Sequence, residues 1–161
     1  MLAGLRISVG ALFLIFGKYK VFGAEVTLGG GFQFWINQFL TEGAAYPFMA
    51  PVLRGFVLAH ATVIAFLVAY GEFAIGVSLV LGILVRPASV CGLIYMLALL
   101  LASNFPGEHA VFWQYFGAAL DHLVFALCFA AFALGNAEDA LSLRTYLERR
   151  RLSIHRVNAD N

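Results

Sequence analysis

Charge is what this sequence has least of. Asp, Glu, Lys and Arg make up 12% of its 161 residues, where a soluble domain carries about a quarter. With 62% hydrophobic residues and a mean hydropathy of +0.88, the chain reads as a membrane protein. Ten cationic and nine anionic side chains leave a formal net charge of +1, which offers nothing to nucleic acid or to an acidic substrate. Cysteine is scarce: Cys91 and Cys128 lie in apolar runs without CxxC spacing, so no disulfide framework or metal signature is expected. Nor is there a nucleophile elbow, a phosphate-binding glycine loop, an HExxH or a nucleotide fingerprint. Those absences argue against an enzyme built on a soluble cofactor.

What is present is long apolar runs. A span needs ~20 mainly apolar residues to cross ~30 Å of hydrocarbon, and four stretches answer to it: 2–17, 55–85, 88–102 and 116–134. The first has Arg6 inside it and no small-residue cleavage pattern after it, so it is expected as a retained helix. A break at Arg86-Pro87 makes the second and third a hairpin, and residues 103–115 make another. The expected fold is all-α, a single integral membrane four-helix bundle over residues 1–161. In the long loop 18–54, Phe32, Phe34, Trp35, Ile36, Phe39 and Leu40 recur at helical spacings. This segment reads as an interfacial amphipathic helix or, equally, as a loop folded over the bundle mouth.

Orientation follows the cationic bias. Arg144, Arg149, Arg150, Arg151, Arg156 and Arg86 outnumber Lys18, Lys20 and Arg54 on the opposite face. Both termini are therefore expected in the cytoplasm. The tail 136–161 is expected to begin as an amphipathic helix whose arginines touch anionic membrane lipids.

Ionisable residues inside spans are costly and by default mark function. Here they are Arg6, His60, Glu72, Asp121 and His122, with Lys18 at the outer mouth. At ~1.5 Å per residue, Glu72 falls near mid-membrane, Arg6 toward the cytoplasm, and His60, Asp121 and His122 toward the outside. The pairs expected from level are Arg6 with Glu72 and Lys18 with Asp121. Arg6, Gly10, Phe13 and Gly17 share one helix face, and Glu72, Gly76 and Leu79 another, so both charged faces should look inward. Glu72 is either half of a buried pair that fixes helix register or the group that moves a proton beside a bound molecule. His60 and His122 at similar depth allow a bis-histidine haem or a chlorin to be imagined, a disfavoured reading beside a histidine bonded to a carboxylate or water.

LRISVGALFLIFGKYK at 5–20, with its arginine, spaced glycines and G-x-x-K-like ending, resembles the opening helix of the DoxX family. GEFAIGVSLVLGILVRPASVCGLIYMLALLLA at 71–102 resembles that family's central signature, a glutamate before a glycine-rich apolar stretch, an L-G-L-x-x-R turn and the next helix. The tail LGNAEDALSLRTYL resembles the family's end more loosely, with Arg144 where Asp would be expected. The resemblance implies a four-helix protein of the bacterial cytoplasmic membrane, with Arg6, Lys18, Glu72 and Arg86 as the matching polar residues. Related DoxD-like proteins are described as small subunits of a thiosulfate:quinone oxidoreductase, which would make a quinone the partner, and family members are associated with thiol and sulfur redox stress.

Three functions are expected to compete. In the first, the chain is a quinone-linked redox subunit with Glu72 catalytic and with Trp35 and its neighbours covering a lipophilic ring. In the second, it is a structural or assembly subunit of a larger membrane complex. A third, a proton or small-molecule carrier, would need a water path past Glu72 and Asp121.

Overall fold

The structure, a computed structural model, describes residues 2–116 and 121–135. Among these residues the chain is helical with no strand. Three helices are long and apolar enough to cross a membrane: α1 (Leu2–Phe22), α4 (Ala61–Leu81) and α5 (Val85–Ser103). Shorter are α2 (Gly31–Thr41), α3 (Ala50–Val52) and the apolar α6 (Asp121–Leu134). The tail expected as an amphipathic helix lies outside the described residues.

Several boundaries differ from those read in the sequence. α1 continues past residue 17 to Phe22, carrying Lys18 and Lys20 on the helix itself. The long run 55–85 is not one helix: α3 widens into a π-turn at Leu53–Val57, and α4 begins only at Ala61. At this break the His60 ring nitrogen sits 3.0 Å from the Phe56 carbonyl, a side chain intruding on the ladder four residues back. The hairpin turns at Gly82–Leu84, ahead of Arg86-Pro87. Gly82 ends α4 with φ +69°, where a residue without Cβ is unstrained, and Ile83 N–H bonds the Ser78 carbonyl. Pro87 then lies in the first turn of α5, where its missing N–H has no intrahelical acceptor to lose.

α1 packs on α4, α5 on α6, α4 on α5, and α1 also touches α6. The α1–α4 approach is close because glycines face backbone. A Cβ on Gly17 would lie 2.8 Å from Phe73 Cα, and one on Gly76 would lie 2.7 Å from the Leu14 nitrogen. Gly92 on α5 similarly leaves room for the Phe129 ring of α6. Between the helix pairs the core is filled by Phe13, Leu79, Val85, Met96, Phe129 and Phe132. Phe13 meets Phe129 edge-on at 5.0 Å between centroids, an arrangement that ring quadrupoles favour.

A second apolar cluster closes one end. Ile36 of α2, Ala45 and Leu53 pack on Ala102 near the end of α5. Backbone bonds stitch the same region: Tyr46 N–H to the Leu101 carbonyl at 3.0 Å and Phe105 N–H to the Ala44 carbonyl at 2.7 Å. The 32–48 segment contains a helix, α2, and the residues after it pack against the end of α5.

Candidate functional site

The register of α1 on α4 decides which charge meets Glu72. Gly10 lies against Leu79, Leu14 against Gly76 and Gly17 against Phe73. Arg6 is thereby set about 12 residues, or ~18 Å of helix rise, from the level of Glu72. Lys20 is the cation that arrives: its Nζ is 2.6 Å from Glu72 Oε1. The hydroxyl of Tyr95 on α5 donates to the same oxygen. Three helices therefore converge on one carboxylate, which is 7% exposed. The other carboxylate oxygen, Oε2, is buried and meets no hydrogen-bond partner among the described residues. Such an acceptor in a low-dielectric setting is costly until something donates to it.

The expected Arg6–Glu72 pair is thus replaced by Lys20–Glu72. Arg6 is fully buried toward the far end of α1. The expected Lys18–Asp121 pair is replaced as well. Lys18 is exposed, and Asp121, itself 51% exposed, accepts from the His122 backbone N–H at 2.7 Å and lies 3.1 Å from His122 Nδ1. The sequence did carry the signal for Lys20. The face Arg6, Gly10, Phe13, Gly17 continues by one more step of three to Lys20, whereas Lys18 falls off it. Nothing in the sequence singled out Tyr95.

Glu72, Lys20 and Tyr95 form part of the wall of a cavity of about 470 Å³, within the size range of small-molecule sites. Aromatic side chains line much of the rest, among them Phe13, Phe32, Trp35, Phe39 and Phe125. Asp121 and His122 line it too. The tertiary structure therefore gathers Glu72, Trp35, Asp121 and His122 around one space, while Arg6, Lys18 and His60 stay outside it. His60 is exposed, its ring tilted against that of Phe56 with centroids 5.0 Å apart, so the two histidines do not face one another across this cavity for a haem or chlorin. No group of three or more His, Cys, Asp or Glu suited to a metal occurs among the described residues.

The segment after α2 is held by side chains as well as backbone. The Tyr46 hydroxyl donates to the Tyr115 carbonyl, and burial, then the neighbouring Tyr115, pushes the Tyr46 phenol above its ordinary value. A second, more apolar hollow of about 570 Å³ runs between α4 and α5, lined by Leu67, Ala74, Ile94 and Ala98. Glu72 and Tyr95 border both spaces. Cys91 lies on the exposed side facing this second hollow, and both cysteines are free.

Chemically, the site offers a carboxylate with one oxygen held by two donors and the other buried without a partner among the described residues, an ammonium and a phenol in hydrogen-bonding contact with it, and a lipophilic chamber beside them. That set can hold a flat apolar molecule and exchange a proton with a hydroxyl on it. No curated protein and no solved structure matches the chain. The family model described as DoxX matches residues 1–104, which include α1 to α5 and with them Lys20, Glu72 and Tyr95. On that match, over more than half of its length, the chain belongs to the DoxX family.

Proposed function

We propose that this DoxX protein is a quinone-linked redox subunit of the bacterial cytoplasmic membrane. In this reading α1, α4, α5 and α6 form a four-helix bundle with both termini cytoplasmic. The observation that carries the reading is Glu72 in the wall of an aromatic-lined cavity, with Oε1 held by Lys20 and Tyr95 and Oε2 buried without a partner among the described residues. A quinol hydroxyl satisfies Oε2 when the Glu72 carboxylate turns that oxygen toward the cavity, and the aromatics stack on the ring. Electrons would come from a sulfur or thiol donor on a partner subunit. Glu72 takes or returns the proton, and Lys20 and Tyr95 hold it in place.

A second reading is favoured by the same contacts. Lys20, Glu72 and Tyr95 tie α1, α4 and α5 together, as a purely structural fastener in an assembly subunit would. Purification from native membranes in mild detergent, with mass spectrometry of bound lipophiles and proteins, separates the two. Quinone retained by the wild type and lost from Glu72→Gln supports the redox subunit. A stoichiometric large partner, with no quinone on either protein, supports assembly.

A further inference from the structure

The cavity has a second polar end. His122 lines it together with Asp121, and its ring is fixed on one side. Nδ1 lies 2.8 Å from Asn104 Oδ1 and 3.1 Å from Asp121 Oδ1. A carboxylate oxygen can only accept, and the Asn104 oxygen accepts as well, so Nδ1 carries the hydrogen. In the neutral ring Nε2 is then a lone-pair acceptor, and it meets no partner among the described residues. The other polar side chain lining this end, Asp121, is also an acceptor. At Glu72, which also lines the cavity, the unsatisfied atom is again an acceptor, Oε2.

From this we infer that the cavity selects the reduced, hydroxyl-bearing form of a two-ended aromatic ligand, a hydroquinone, over its oxidised dione. The inference rests on the quinone reading above and specifies which redox form the site is built for. A hydroxyl at the His122 end donates to Nε2. A carbonyl there would set its lone pairs against an imidazole lone pair and a carboxylate, leaving both sides unsatisfied. At the Glu72 end the discrimination is weaker, because Lys20 also brings donors. His122 is therefore the specificity-determining residue, and Asn104 and Asp121 are positioning residues that fix its tautomer. By linkage, tighter binding of the diol makes the bound dione a stronger oxidant. A tenfold preference corresponds to about 30 mV for a two-electron couple. Such a site draws electrons into the bound ring.

The test uses the full chain in lipid nanodiscs, anaerobically and at one fixed pH. The probes are tetramethyl-1,4-benzoquinone and its hydroquinone, which carry no tail. The wild type is expected to bind the hydroquinone about tenfold more tightly. His122→Phe should lower hydroquinone affinity about tenfold and leave dione affinity unchanged, which also serves as the check that the cavity is intact. Asn104→Ala, which loosens the ring without removing Nε2, should erode the preference only about threefold. Equal binding of both forms, tighter binding of the dione, or a preference that survives His122→Phe would overturn the inference while leaving the quinone reading standing. If neither probe binds the wild type, both fall together.

Discussion

The contact between α1 and α4 is tight along one stretch and open at another, although the same two helices make both. Around Gly10, Gly17 and Gly76 the backbones approach until a single Cβ has no room. One turn beyond Gly17, at Lys20, the helices border a cavity and meet through an ion pair instead. The tight stretch sets the register, and the register delivers Lys20 to Glu72. Small residues let backbones close in lipid, where no hydrophobic force drives helices together. In the neighbouring stretch the contacts are side chains instead, the Lys20–Glu72 pair and the edge-on rings of Phe22 and Phe73. Packing and site are therefore two halves of one helix pair, with opposite residue sizes.

The comparison breaks most severely at the glycines. Gly76→Leu should push α1 away from α4 and cost about 3 kcal/mol or more, at or beyond the top of the usual overpacking range. The mutant should show an early thermal transition in detergent, followed by tryptophan fluorescence. Gly71→Ala on the same helix is the control: its Cβ would meet nothing within 4 Å. Stability there should be unchanged or slightly raised, since alanine is the better helix former.

Next in size is the ion pair. Lys20→Met strands the buried Glu72 carboxylate and should destabilise the protein by about 3 kcal/mol, at the low end for a broken buried pair because Lys20 is 28% exposed. Adding Glu72→Gln to that variant should restore most of the loss. A double mutant no more stable than Lys20→Met would mean that the pair is not what couples these residues. Smallest is Tyr95→Phe. It removes one hydrogen bond to a charged group and should cost about 1.5 kcal/mol, with Lys20 still holding Oε1. A cost matching that of Lys20→Met would make Tyr95, rather than the ammonium, the main support of Glu72.

Much of the fold was legible because membrane solvent imposes a simple code. Long apolar runs mark α1, α4 and α5, and glycine spacing marks the inward faces bearing Arg6 and Glu72. Helix ends were less legible. The Lys-Tyr-Lys at 18–20 reads as the end of a span, yet α1 carries on through it because Lys20 finds a carboxylate to meet. The break expected at Arg86-Pro87 lies instead at Gly82–Leu84, where two residues adopt positive φ. Of the candidate site, Glu72, Trp35, Asp121 and His122 line one cavity, whereas His60 points elsewhere because its ring is engaged at a break in its own helix.

By itself, the sequence determined the solvent of this protein, the inward faces of its helices and the burial of Glu72, because burial patterns repeat with local helical period. The tertiary structure alone decided the partners. Which cation reaches Glu72 depends on axial register, fixed by glycine backbone contacts that run along the helix pair from Gly17, one turn from the charge, to Gly10. The meeting of Trp35, Tyr95 and His122 around one cavity depends on chain returning from distant positions, and no local period encodes that.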